Sequence, residues 1–366
     1  MRLSALARSR WFFWAVLLAL VAAELVTTFV SAPVGLALHA LIALALVIGR
    51  ALAGSRAAQG LALALLLAPL TRIVSLGLPL ARFEPVVRYA IASAPLLAGA
   101  AIVTQQLRLS RKDLGLRGAG IGLQLMVSLS GLGLGAIAYM LAPPAPLPAG
   151  WSLGSLWVPA LIFLVCTGLA EEMIFRGVLQ SAALPALGPI ALLYVAILFA
   201  ALQIGFMSIE HVCFTCGVGL LFAGVKHFTR SIVGVSLAHG LANMTMYLLM
   251  PYLAAAPESA LATAAPWLVL AGTALSIGAS ALLLYRARRP ARTRRAPAAQ
   301  PLDLRALRLQ SGYSYVELAQ RSGIPVRQLA EVEHGLRQLQ PSEQRLLADA
   351  LGFTQRLETI SGRQGV

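Results

Sequence analysis

Apolar stretches about twenty residues long, separated by short polar or proline-rich breaks, fill the first 285 positions of the chain. A bilayer-spanning helix needs about 20 mostly apolar residues. Ten spans can be drawn on that rule, roughly 11–30, 34–49, 57–80, 86–107, 120–142, 154–180, 186–206, 209–228, 231–252 and 261–285. The pattern changes after Tyr285. Residues 286–300 form an Arg/Pro/Ala-rich stretch that reads as a disordered linker, and 301–355 are charged and amphipathic, ahead of a tail at 356–366. No internal repeat is visible. The expected fold class is all-α: a polytopic transmembrane helix bundle over 1–285, with a small soluble four-helix domain behind it.

That small domain parses into short helices. Leu304, Leu307 and Leu309 form an apolar stripe, and Ser314 is placed to cap a helix carrying Val316, Leu318 and Ala319. Ser322-Gly323 marks a turn, and Ile324-Pro325 opens the next helix, where an early proline is favourable. Leu329 and Val332 lie on its inner side and Gly335 closes it. Pro341-Ser342 begins a last helix with Leu346, Leu347 and Leu351 inward.

Composition supports bilayer residence. Apolar residues make up 58% of the chain and charged residues 12%, with a mean hydropathy of +0.79; a soluble protein usually carries about 25% charged residues. The net charge of +15 is unevenly spread. Residues 1–285 hold 15 Lys and Arg against 7 acids, 286–300 hold six Arg and no acid, and 301–366 hold 8 against 7. The excess therefore flanks the spans, as positive-inside retention and anionic-lipid contact require, and nucleic acid is not needed to explain it. With the N-terminus in the cytoplasm, Arg50, Arg56, Arg108, Arg111, Lys112, Arg117, Lys226 and Arg230 fall inside, whereas Arg82 and Arg88 alone fall outside. An even span count puts the C-terminal arginines inside too. Only Lys112 and Lys226 are lysines, which reads as a GC-rich, bacterial coding sequence.

Three cysteines, Cys166, Cys213 and Cys216, lie in apolar stretches and suggest no disulfide framework. Cys213-Phe214-Thr215-Cys216 has the spacing of a metal or redox pair, but no second ligand pair accompanies it. No cofactor is called for, and the chain supplies too few strong ligands to prefer a metal.

Ionisable residues inside spans are costly and mark candidate sites. Glu24 and Arg72 each stand alone in a span, and a mutual pair or helix packing accounts for them as well as function does. The segment Gly168-Leu-Ala-Glu-Glu-Met-Ile-Phe-Arg-Gly-Val-Leu-Gln180 is different. Arg176 lies one turn beyond Glu172 and can pair with it, which leaves Glu171 on a neighbouring face as a general base for water. Phe199 with Gln203 and His239 with Asn243 follow at helical spacing. Counted from the cytoplasmic turns at about 1.5 Å per residue, Glu171, Gln203, His239 and Asn243 all lie roughly 15–27 Å deep. Antiparallel helices could gather them in one cavity, as a base with donors for an oxyanion.

The order Glu171-Glu172-x-x-x-Arg176, Phe199-x-x-x-Gln203, His239-x-x-x-Asn243 resembles the CAAX-protease and bacteriocin-processing family of intramembrane endopeptidases over about 150–250. Gly177-Val-Leu-Gln180 after the first motif also looks like that family. The resemblance implies that Glu171, supported by Glu172 and Arg176, activates water against a peptide bond. It implies that His239 and Asn243 stabilise the oxyanion. The middle motif departs: Gln203 stands where the family has a histidine, and glutamine can bind a water but take no proton. His211, by span geometry, is expected at the far end of its helix pair near the external surface. Two readings follow, a glutamate-dependent intramembrane endopeptidase acting on a peptide or membrane protein, and a catalytically lapsed membrane-tethered regulator or immunity-type scaffold.

The tail runs Leu-Arg-x-Leu-Arg, Gly-Tyr-Ser, Glu-Leu-Ala, Ser-Gly-Ile-Pro, Val-Glu-His-Gly, Ala-Leu-Gly and resembles the Cro/phage-repressor helix-turn-helix family. That implies a recognition helix over 325–333, with Arg327 and Gln328 reading base edges of DNA. A reader of one half-site would act as a homodimer. The near-neutral charge of the domain favours instead a protein-docking or vestigial role.

Overall fold

The structure is a computed structural model that describes residues 10–117, 120–147, 152–255, scattered positions between 263 and 285, and 304–351 apart from 335 and 338. The tenth predicted span at 261–285 falls partly outside the described residues, and the linker at 286–300 and the tail at 356–366 fall wholly outside. The chain divides into two compact units, Met1–Arg288 and Arg289–Val366.

The first unit contains α1 (Arg10–Phe29), α2 (Ala32–Leu52), α3 (Arg56–Gly77), α4 (Pro85–Gln106), α5 (Ile121–Leu141), α6 (157–187), α7 (Ala191–Ala201), α8 (Ile209–Thr229) and α9 (Val233–Ala255). Among the described residues, eight helical stretches are long and apolar enough to cross a membrane. One of them, Trp157–Phe206, runs for 50 residues and holds two predicted spans. A straight helix would put Phe175 and Phe199 about 36 Å apart, yet their ring centroids stand 5.0 Å apart. The chain reverses between them at Gly188, whose φ of +71° costs a glycine little, with Pro189 next.

The surface of this unit is inverted relative to a water-soluble protein. Trp11, Ile121 and Met140 are among many large apolar side chains that are mostly exposed, whereas Glu24, His39, Thr167, Glu172, Arg176 and Gln180 are fully buried. Apolar side chains face outward and ionisable groups are drawn inside, as a medium without hydrogen-bonding partners demands. The chain is a membrane protein.

Two apolar clusters build the interior. One gathers α1, α2, α3, α4, the C-terminal half of α6 and α7, and the other gathers α5, α8 and α9. Met173 packs against both, so the glutamates just before it sit at the seam. Close helix contact at that seam depends on glycine. A Cβ on Gly168 of α6 would stand 2.5 Å from the Ser236 carbonyl oxygen of α9, and one on Gly240 of α9 would stand 2.8 Å from Leu164. Small residues at such crossings let backbones approach within membranes.

The second unit has four short helices: α10 (Leu304–Gln310), α11 (Tyr315–Ser322), α12 (Val326–Glu333) and α13 (Pro341–Ala350). Leu304, Leu318, Ile324, Leu329 and Leu347 form its core. Ser314 caps α11 in a reciprocal box with Glu317, and Gly323 ends that helix at φ +69°. Pro325 caps α12 rather than opening it. One inward assignment is corrected, since Leu346 is 48% exposed, and Leu309 of the predicted apolar stripe is 60% exposed. With helices this short, one-residue shifts in phase move a side chain to the outer face.

A polar cavity at the seam of the bundle

The glutamates lie in an irregular stretch of α6. Ala170–Glu172 is flanked by π-helical turns at Phe163–Leu169 and Met173–Leu179. A third π-helical turn, Thr245–Leu249, follows Asn243 in α9. Such turns rotate the side chains around them and occur frequently at functional sites.

Glu172 and Arg176 form the expected pair, with Nη1 of Arg176 2.8 Å from Oε1 of Glu172 and both side chains sealed from solvent. The guanidinium also donates to the Gly219 carbonyl at 3.2 Å and lies 4.5 Å over the Phe199 ring, a favourable cation–π placement. Phe199 is thus a support for Arg176. One bond was not expected: Nδ1 of His239 stands 2.9 Å from the same Oε1 of Glu172. An ionised carboxylate only accepts, so Nδ1 carries the proton and Nε2 is the nitrogen turned towards Glu171. Nε2 lies 3.8 Å from Oε2 of Glu171, whose side chain is 30% exposed.

Glu171, Gln203, His239 and Asn243, predicted from three separate motifs in the chain, line one cavity of about 120 Å³, space for several waters. A second cavity of about 400 Å³ adjoins it. The two share Tyr89, Glu171, Phe199, Gln203 and Phe206 in their walls, so Glu171 stands where they meet. Asn243 donates from Nδ2 to Oγ1 of Thr167 at 2.8 Å, which keeps a second N–H available. The sequence held a signal for Thr167, one turn before Glu171, and for Tyr247, one turn after Asn243; both escaped because neither is ionisable at neutral pH.

His211 lies in the first turn of α8, at the end of its helix as expected. That end nonetheless reaches the site: His211 lines the same cavity as Glu171 and His239, is 5% exposed, and stacks its ring on Phe206 at 4.4 Å. The turn after α7 brings the start of α8 back over the cavity, which a count of residues per span does not capture.

Glu24 and Arg72 do pair, at 2.6 Å from Nε to Oε1, and His39 of α2 lies 3.4 Å from the same oxygen. Arg72 also donates to the Leu202 carbonyl, directly before Gln203. The first three helices therefore hold the turn that carries Gln203. Among the described residues no group of three His, Cys, Asp or Glu side chains is arranged to hold a metal ion.

In the second unit, Glu333 of α12 takes hydrogen bonds from Arg308 of α10 at 2.7 Å and from Tyr315 of α11 at 2.6 Å. Burial raises the Glu333 carboxyl, but these two donors outweigh it and hold the group below the usual carboxylate range. Arg327 is exposed and pairs with Glu331 at 3.2 Å one turn on, and Gln328 beside it is half-buried.

Residues 153–245 match the family described as type II CAAX prenyl endopeptidase Rce1-like. Residues 303–359 match a helix-turn-helix domain. No curated protein and no solved structure matches the chain. Glu171, Gln203, His239 and Asn243 thus lie within the segment that matches the Rce1-like CAAX prenyl endopeptidase domain, and the C-terminal unit contains a helix-turn-helix domain.

Proposed function

We propose that this chain is a glutamate-dependent intramembrane endopeptidase of the bacterial cytoplasmic membrane, with both termini in the cytoplasm, whose helix-turn-helix domain binds DNA. The reading rests on Glu171, an acid inside a membrane helix that opens onto two adjoining cavities and faces an imidazole 3.8 Å away. In this scheme Glu171 takes a proton from water as the oxygen adds to a peptide carbonyl. His239, when it holds both protons, offers Nε2–H to the developing oxyanion, and Asn243 offers its second amide proton. Glu172 and Arg176 orient His239 as a buried carboxylate–imidazole support, and Gln203 holds the water without accepting its proton. The substrate is a peptide or membrane-protein segment that reaches Glu171 through the larger cavity. The helix-turn-helix domain presents Arg327 and Gln328 to DNA as a homodimer.

The second reading, a catalytically lapsed regulator or scaffold, is favoured by one observation, the amide at 203 in the cavity wall where a proton acceptor would serve. Cleavage of a peptide library by the purified protein in detergent separates the two. Removal of cleavage by Glu171→Ala, and an increase with Gln203→His, is the expected result. A silent wild type beside an active Gln203→His would establish the lapsed enzyme, and silence from all three folded proteins would end the protease reading.

A further inference from the structure

The cavity contains a base that the scheme above leaves idle. Two imidazoles line it, His239 and His211. His239 is committed through Nδ1 to Glu172. His211 is 95% buried, and its Nδ1 is sealed off with no hydrogen-bond partner. The ring is fixed by its stack on Phe206 and by the capped first turn of α8, where the His211 amide donates to Oγ of Ser208 at 3.1 Å. With Nδ1 closed, Nε2 is the one ring nitrogen that can meet the cavity His211 lines. A neutral imidazole protonated at Nδ1 leaves Nε2 as an acceptor, the capacity that Gln203 lacks. Leaving a buried ring nitrogen unpaired is costly.

We propose that His211 is a catalytic residue, the proton carrier of this site; the assignment rests on the peptidase reading of Glu171. Glu171 removes one proton from water as the water oxygen bonds to the carbonyl carbon. That proton passes to Nε2 of His211, directly or through a cavity water. As the C–N bond breaks, the imidazolium gives it to the leaving nitrogen. The hydroxyl ends on the acyl product, the proton on the amine, and Glu171 and His211 return to their starting forms. The other ionisable groups that face His211 across the cavity are Glu171, His239, Tyr89 and Tyr247, and Glu210 precedes it in the first turn of α8.

The test uses the full-length protein in detergent on the same peptide library, with His211→Gln, His211→Ala and Glu171→Ala beside wild type. Positioned proton transfer contributes about 10²–10⁴-fold. Both His211 variants should lose about a hundredfold or more in kcat, and added imidazole should restore part of the rate to His211→Ala. The ascending limb of the wild-type pH–rate profile contributed by an imidazole should also vanish in His211→Gln. Unchanged rate and pH profile in His211→Gln, with Glu171→Ala inactive, overturns the role of His211 and leaves the glutamate mechanism standing. Loss of rate without imidazole rescue and with an unaltered pH profile makes the residue structural and overturns it as well. Cleavage that survives Glu171→Ala overturns the glutamate mechanism, and a silent wild type overturns both.

Discussion

At the scale of single residues, the chemistry concentrates on carboxylates held in different ways. Glu172 is sealed between Arg176 and His239, whereas Glu171, its neighbour in sequence, is 30% exposed to the cavities. Adjacent helical positions point about 100° apart, so one acid can be structural and the other open to water. The buried pair leads to a prediction about stability. Arg176→Met strands the Glu172 carboxylate in a low-dielectric interior with only His239 beside it, and breaking such a pair costs about 3–5 kcal/mol. Thermal unfolding in detergent should show that loss, and the double variant Glu172→Met/Arg176→Met should recover much of it, because the uncompensated charge is gone.

Individual elements carry two further lessons. In α6, the π-helical turns on each side of Ala170–Glu172 mean that ideal 3.6-residue spacing does not describe which side chains share a face. In the helix-turn-helix unit, Glu333 ties α12 to both α10 and α11. Its carboxyl is held below the ordinary value of about 4.3 in the folded state. The stabilisation is therefore complete above that ordinary value and disappears as pH falls through the lower, folded one. Amide exchange at Leu318 and Leu329, corrected for its intrinsic pH dependence, should accelerate over that acidic interval, and Glu333→Gln should remove the dependence.

At the scale of the whole molecule, a peptidase-like membrane unit and a helix-turn-helix unit share one chain, with six arginines at 286–300 between their defined cores. DNA recognition gives this pairing its test. Selection of bound duplexes from a random-sequence pool by the full-length protein should yield a preferred site. Arg327→Ala should weaken binding to that site by about 1–3 kcal/mol while relaxing preference at one base pair. Peptide cleavage should be unaffected. Uniform weakening across all sequences would assign Arg327 to phosphate contact instead.

Much of this architecture was legible in the sequence because it follows from local pattern. Run length reports bilayer crossing, the Ser314–Glu317 box reports the start of α11, and i,i+4 spacing reports the Glu172–Arg176 pair. Those features depend on residues within a turn or two of one another, and the chain need not be folded further for them to be decided. Other features involve residues distant in sequence: the Glu172–His239 bond, the Thr167–Asn243 bond, the Arg72 contact that holds the turn before Gln203, and the presence of His211 in the cavity wall. The first two depend on how closely α6 and α9 approach across Gly168 and Gly240, the third on how α3 packs against the end of α7, and the last on the reversal that returns α8 over α7. The sequence by itself determined which residues are polar at membrane depth. Only the tertiary structure decided which of them face one another, because that distance is set by helix crossings and turns rather than by position along a helix.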